Sequence, residues 1–537
     1  MKIGYLFLLL ALSELASPLA ARAQRRPPLP PANAPRQTAR TELLLSQSDS
    51  EVHAQALSAD STVVLLVGRD RPLSSKSTFT FQQYDHNLHL RQELPLEVPD
   101  EFNFTRMCAE GSTVYALFSS HSNPGRLLVA AYNGPLGQVH TQPFDTRLSR
   151  EVVELKALDG RLFATVLLTD QRHVTALLLD VATGQMQYLS SIYEPLPTQL
   201  TFVADATSRR AEYVLSQTNG RKTRLLLKRL TDRGQLISSE FVQAESERSL
   251  ITAQLTPPQD TTARLLMGTY SLRDPDYAQG LFATDLRPVA GTGTKAPLRF
   301  YDFLRLKHFF DYLKPSRQAR LRLRTERRAA HSSPPLRWHY RLLLHELLPQ
   351  SDGGYLLVAE VYYPHYRYNN YGNYGNYSSY SAPFNNLGNQ YGSGYGYNSR
   401  AFDGYQTTHA LVCGFDRAGT LLWDNTFVVE NLRRSELEEA VRLQALPDGR
   451  LVLAYLDEAK LRYKLIDRAE SSPNDQQVPI QTGSGPTTDT GIEHASETSQ
   501  ADLLPWFGSR FVATGYQRVR VEHGADRQVF FLNAVVF

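Results

Sequence analysis

Short apolar runs, set off by turn residues, recur along most of this chain. Residues 62–68 (Thr-Val-Val-Leu-Leu-Val-Gly), 113–118 (Thr-Val-Tyr-Ala-Leu-Phe) and 161–168 (Arg-Leu-Phe-Ala-Thr-Val-Leu-Leu) are rich in apolar and β-branched residues. Continuous apolar runs of this length predict strands buried on both faces. A turn signal stands before the second strand of each unit: Asp60-Ser61, Glu110-Gly111, Asp159-Gly160, Ser208-Arg209, Gln259-Asp260, Asp352-Gly353, Asp448-Gly449 and Phe507-Gly508. The first intervals are about 50 residues, a period that points to a propeller or similar array. The two intervals around Asp352 are roughly double, and each contains an insertion.

Residues 351–427 show the unit most clearly. The turn Ser351-Asp352-Gly353-Gly354 leads into the run 355–363, which resumes at 409–415 after a long interruption. The turn Asp416-Arg417-Ala418-Gly419 then leads into residues 420–427. The same second turn recurs at Asn133-Gly134-Pro135-Leu136-Gly137, Asp180-Val181-Ala182-Thr183-Gly184 and Thr231-Asp232-Arg233-Gly234. Asp or Asn caps such a turn through its side chain, and glycine takes the positive φ that joins two antiparallel strands.

The segments Asp180-Val181-Ala182-Thr183-Gly184-Gln185-Met186-Gln187-Tyr188 and Asp416-Arg417-Ala418-Gly419-Thr420-Leu421-Leu422-Trp423 resemble the last turn of repeats in PQQ-like and WD40-like β-propellers. In those repeats an aspartate, a glycine and an aromatic residue lock one blade to the next. The likeness covers most of residues 41–537, is clear in two or three units, and has Tyr188 where tryptophan is usual. Residues 351–427 are also similar to exported propeller proteins of bacterial envelopes. The resemblance implies a fold. It does not imply PQQ, because the adjacent-cysteine pair of quinoprotein dehydrogenases is missing. The fold class expected is therefore all-β, a β-propeller of eight blades, with seven as the alternative. The final unit lacks an outer strand, and residues 41–48 are expected to supply it, since closing the ring removes exposed sheet edges.

Two insertions interrupt the array. In residues 298–334, Phe300, Phe303, Leu304, Leu306, Phe309, Phe310 and Leu313 recur near helical spacing, and Pro315 breaks the run. Arg317, Arg320, Arg322, Arg324, Arg327 and Arg328 follow. Two short helices are expected, one apolar-faced and one basic. The bland reading of the arginines is a solvated face; the sharper one is contact with an anionic surface, a lipid headgroup or an acidic glycan. Residues 364–406 are dominated by Tyr, Asn, Gly and Ser. The entropy of ordering such a stretch exceeds what its tyrosines return by burial, so a disordered loop is expected. Tyrosine on a flexible Gly/Ser-rich chain is also a contact chemistry.

Composition adds compartment more than chemistry. The 537 residues carry 57 Lys+Arg and 54 Asp+Glu, a formal charge of +3, too small for a general nucleic-acid-binding field. Lys2, an apolar run over residues 3–12 and Ala21-Arg22-Ala23 make the pattern of a secretory signal peptide, expected over residues 1–23. That run is too short to span a bilayer, and no later stretch is apolar enough to do so. Residues 24–40 read as a proline-stiffened linker, and residues 41–537 as one propeller domain. The destination expected is the periplasm, the cell surface or the medium. Cys108 and Cys413 are the only cysteines, and two buried thiols are favoured over a bridge.

No catalytic, cofactor or metal constellation stands out. Gly392-Ser393-Gly394 follows no strand, and Ala290–Lys295 misses P-loop spacing. Asp274-Pro275-Asp276 lacks the further oxygens of a calcium loop. Glu438-Glu439 beside Arg433-Arg434 reads as a short solvated helix. The function expected is a noncatalytic exported propeller that binds a protein or a glycan through one face of the ring and its insertions. The alternative is a propeller enzyme, of glycoside hydrolase or lyase type, with acids converging at the central channel from separate blades.

Overall fold

Thirty-four strands among the described residues fall into eight antiparallel sheets, seven of four strands and one of six. A computed structural model describes residues 34–45, 49–69, 76–193, 198–205, 208–218, 222–257, 264–272, 274–288, 296–331, 336–368, 400–430, 432–482, 493–521 and 526–537. The predicted β-propeller is observed, with eight blades. Blade 1 spans residues 49–99, blade 2 102–145, blade 3 149–188, blade 4 198–242, blade 5 249–302, blade 6 341–434 and blade 7 442–479. Blade 8 is built from residues 493–536 and the N-terminal strand Arg36–Leu44.

Period-2 alternation explains why the second strands are apolar throughout. In Thr62–Arg69, Val64 and Leu66 pack toward blade 2, while Val63, Leu65 and Val67 pack toward blade 8. In Arg161–Leu168, Leu162, Ala164 and Val166 join blade 2, and Phe163 joins blade 4. Among the described residues the buried apolar side chains form eight clusters, and each cluster joins two adjacent blades. A blade is therefore a wall shared by two cores.

The turn signals have the backbone they require. Ser61, Gly111, Asp159, Gly160, Arg209, Gly353, Gly449 and Gly508 all have φ between 51° and 87°. Gln259-Asp260 lies outside the described residues. In the second turn, the Asp416 Oδ1 accepts from the amides of Ala418 and Thr420, at 2.9 and 2.7 Å, and Gly419 sits at φ +75°. In blade 3 the Tyr188 hydroxyl donates to the Thr146 carbonyl at 2.5 Å, fastening the outer strand to the crossover from blade 2.

The ring closes by pairing the two ends of the described chain, with Arg36 opposite Val536 and Leu44 opposite Val529. The closing strand starts at Arg36, inside the stretch read as linker, and ends at Leu44 instead of residue 48. Trp506 of blade 8 also donates its indole N–H to the Thr62 carbonyl of blade 1 at 3.0 Å. The leader expected at residues 1–23 lies outside the described residues.

The insertions differ from expectation in instructive ways. Residues 299–302 are the outer strand of blade 5, paired with Gly280–Asp285, so Phe300 belongs to the array. A single 3-10 turn, Phe303–Arg305, follows, and one helix, Pro315–Ala330, labelled α1 here. Phe303 of the 3-10 turn, Leu306, Phe309 and Phe310 are buried in the cluster between blades 5 and 6 without forming an α-helix. Burial from all sides needs no helical stripe, so the spacing misled. Pro315 opens α1, the first helical position where a missing N–H costs nothing. In blade 6, Tyr355–Tyr368 and Arg400–Phe415 pair well past the other blades, through Pro364 at a bulge, so ladder replaces both ends of the expected loop. Residues 369–399 lie outside the described residues.

Cys108 and Cys413 are both free and buried, in blades 2 and 6. No helix among the described residues is long and apolar enough to cross a membrane.

Candidate functional site

The first strand of each blade faces the axis of the ring, and there the apolar pattern gives way to charge. A cavity of about 1310 Å³ lies over the inner strands of blades 2 to 6 and the segment that enters blade 7. A second, of about 440 Å³, borders blades 8, 1, 2 and 3. They share Arg106, Met107, Val153, Glu154 and Glu438.

Residues 433–442, between the last strands of blade 6 and the first strand of blade 7, run into this channel. Arg433-Arg434 pairs with Gln406 and Tyr405 as an extra short strand, and residues 435–441 have no helix. This corrects the expectation of a short solvated helix. Arg106 of blade 2 bonds Glu436 at 3.0 Å and stands 3.6 Å from Glu438. Arg434 bonds Asp502 of blade 8 at 2.9 Å, and Arg442 bonds Glu439 at 3.1 Å. Lys156 of blade 3 bonds Glu346 of blade 6 across the ring at 2.7 Å.

Glu360 anchors the segment. It is 1% exposed, in the middle of blade 6, and its Oε1 accepts from the amides of Ala440 and Val441, both at 2.8 Å, and faces His345 Nε2 at 2.9 Å. Thr407 donates to its other oxygen at 3.4 Å. Burial works against the His345 imidazolium, but Glu439 and Glu360 outweigh it and hold the group above the ordinary histidine value. The signal was visible in the chain: Glu360 is the one charged residue in the run 355–363. A lone carboxylate inside a buried strand requires partners.

Two carboxylates stand apart. Glu151 and Glu154 line the large cavity and make no ion pair among the described residues. Burial raises the Glu154 carboxyl above its usual range, and Lys156 only partly offsets this. Gln254 lines the same cavity at 8% exposed. Its Nε2 donates to the Leu344 carbonyl at 3.2 Å, while its Oε1 has no hydrogen-bond partner.

The extended hairpin of blade 6 forms an aromatic rim. Tyr362 and Tyr405 meet edge to face at 5.6 Å, Phe402 meets Tyr405 at 5.1 Å and Tyr366 meets Phe402 at 5.9 Å. Tyr362 and Phe402 line the cavity, and Tyr363 and Tyr366 are exposed. Asp276 of the Asp-Pro-Asp segment is 3.7 Å from Arg341, and the Arg341 guanidinium lies over Tyr277 at 5.3 Å. Among the described residues no group of three or more His, Cys, Asp and Glu could hold a metal ion.

The six arginines noted in the sequence all lie on α1, away from the channel. Arg320, Arg324, Arg327 and Arg328 share one face with Leu323 and His331, along a groove of about 410 Å³. Arg317 is exposed outside that groove, and Arg322 turns to the Lys307 carbonyl at 3.4 Å. The helix therefore gathers four of the six.

No family model and no curated protein matches this chain. Among solved structures it is similar to the polysaccharide lyase Uly1, at 7% identity and a TM-score of 0.37, over 80% of this chain and 89% of that one. It is similar to a prolyl endopeptidase at 10% identity and a TM-score of 0.37, over 89% of this chain and 54% of that one. A cobalt-substituted apocarotenoid oxygenase from Synechocystis shows 8% identity and a TM-score of 0.29, over 47% of this chain and 64% of that one. At these values the likenesses say nothing of activity or ligand. The class of protein defined by fold and site is a closed eight-bladed β-propeller with a charged channel.

Proposed function

We propose that this chain is an exported, noncatalytic β-propeller of the cell envelope that binds its ligand in the large channel cavity. One observation carries the reading: the cavity is open and about 1310 Å³, yet most of its charged side chains are engaged with one another across blades. Such pairing builds a rigid, preorganised surface, which favours binding by reducing what must be ordered. The leader over residues 1–23 supports export to the periplasm, the surface or the medium, and the blade turns support kinship with PQQ-like and WD40-like repeats. Arg320, Arg324, Arg327 and Arg328 support peripheral contact with an anionic surface, where each is worth ~1 kcal/mol. Sedimentation with anionic vesicles tests that contact, and salt-insensitive or absent binding removes it.

The binding reading is tested with arrayed peptides and oligosaccharides. Retention that falls in the Phe402→Ala variant supports it. One observation favours a second reading. Glu154, half-buried, without an ion pair, bonded by the Thr165 hydroxyl at 3.5 Å and with a raised carboxyl, is placed as a general acid would be. Cleavage of a glycan or peptide that is lost in Glu154→Gln would establish the enzyme and sink the binding module.

A further inference from the structure

We propose that the channel cavity takes an uncharged oligosaccharide, an inference that rests on the binding reading above and names its ligand class. The argument begins with charge. Every Lys and Arg side chain lining the cavity lies within 4.0 Å of a carboxylate. The unpaired charges that remain are the carboxylates of Glu151 and Glu154. Arg433 shares Asp403 with Arg367, but the lining carboxylates outnumber the lining cations, so the cavity has no cationic excess for a uronate, sulfate or phosphate, and a polyanion would meet net repulsion.

The polar groups suit hydroxyls. Each sugar hydroxyl both donates and accepts, so one hydroxyl can bridge a guanidinium N–H and the carboxylate beside it. Pairs such as Arg341–Asp276 and Arg367–Asp403 present such combinations, the latter at 2.7 Å. On the side of blades 3 to 5 the lining turns to Thr165, Thr201, Thr252, Thr269 and Gln254, hydroxyl and amide groups without charge. Gln254 Oε1 is a buried acceptor without a donor, a cost a ligand hydroxyl would relieve on a small turn of the amide.

The apolar element is aromatic and flat. Tyr362 and Phe402 line the cavity beside the charged pairs, and Phe202 and Tyr340 lie deeper. Rings offer broad apolar faces to the C–H faces of pyranoses, and Tyr carries a polar end as well. The volume exceeds the roughly 300–1,000 Å³ of sites for drug-sized ligands, so several sugar units fit better than one.

The test uses the mature full chain in titration calorimetry with short oligosaccharides of glucose and of N-acetylglucosamine, oligouronates of equal length, and a neutral peptide array. The expected result is that a neutral oligosaccharide binds, that the matching oligouronate binds at least about tenfold more weakly, and that Phe402→Ala costs about tenfold. Thr252→Val, which keeps the volume, also weakens binding, while Leu236→Ser on the exposed outer strand of blade 4 does not. Melting curves confirm that each variant is folded. No binding by any neutral oligosaccharide, or tighter binding by the oligouronate, overturns the inference. Peptide binding lost in Phe402→Ala overturns the sugar class and leaves the binding module standing. Sugar cleavage lost in Glu154→Gln leaves the sugar class standing and overturns the binding module.

Discussion

The walls between blades and the channel they enclose are built on opposite rules. A wall is apolar and repeated: the same alternation buries Val64 against blade 2 and Val63 against blade 8, and each junction does the same with other residues. The channel is charged and unrepeated: Lys156 meets Glu346, Arg106 meets Glu436 and Arg434 meets Asp502, each pair joining segments far apart in the chain. Wall energy comes from area removed from water and is insensitive to partner identity. Channel energy comes from matched partners, small for the exposed pairs and large only where a partner is buried. The difference shows which surface is free to vary for function: a repeat can keep its walls while its channel residues change.

Five measurements test this contrast. Phe163→Ala removes a fully buried ring stacked on Phe202 at 5.1 Å and is expected to cost ~3–5 kcal/mol in urea unfolding. A loss under about 1 kcal/mol, the scale of surface substitutions, would mean that blade 3 and blade 4 do not share a core.

Glu360→Ala is the case where the channel should behave like a wall. It strips the acceptor from two amides and from His345, and a loss of ~3–5 kcal/mol is expected. The cluster also has a pH signature. The folded His345 pKa is raised, so its stabilising contribution is complete below about pH 6.5, the unfolded value, and fades as pH rises through the folded value. His409, wholly buried beside Tyr312 and Phe309, has the opposite sign. Burial lowers its pKa to about 3, so its contribution is present above about pH 6.5 and is lost as pH falls toward 3. Thermal melts across pH 4–9 should lose the alkaline-side slope in His345→Gln and part of the acid-side slope in His409→Phe; unchanged profiles would refute both assignments.

Gly419→Val imposes a β-branched side chain on φ +75° and brings its Cβ within 3.3 Å of Ala283. It is expected to cost ~1–2 kcal/mol through the backbone alone. An unchanged melting temperature would count against the hairpin. The smallest effect belongs to Lys156→Ala, a half-exposed pair across the channel, at ~0–1 kcal/mol and weaker still in high salt. A loss as large as that of Phe163→Ala would erase the distinction between wall and channel.

The eight-bladed β-propeller was legible because its signals are local. Alternation over six to eight residues and a turn with positive φ are properties of neighbouring residues, and Ser61, Gly160, Gly353 and Gly449 took the conformation their turns require. The candidate site was legible only as a hint. Glu360 announced itself as a charge within an apolar run, but Glu438-Glu439 and Arg433-Arg434 read as solvated because nothing nearby in the chain names Arg106 or Asp502 as partners. The aromatic spacing around Phe303 misled for a related reason: residues buried on every side carry no periodic mark of the element they occupy.

Chain chemistry alone thus settled strand, turn and the need for a closed stack of sheets, since burial of both faces and relief of exposed edges are demanded by the strands themselves. Which side chains face one another across the axis was decided by the ring. Closure through Arg36–Leu44 and the path of residues 433–442 set those meetings, and electrostatic pairing depends on distance in space, which sequence separation does not encode.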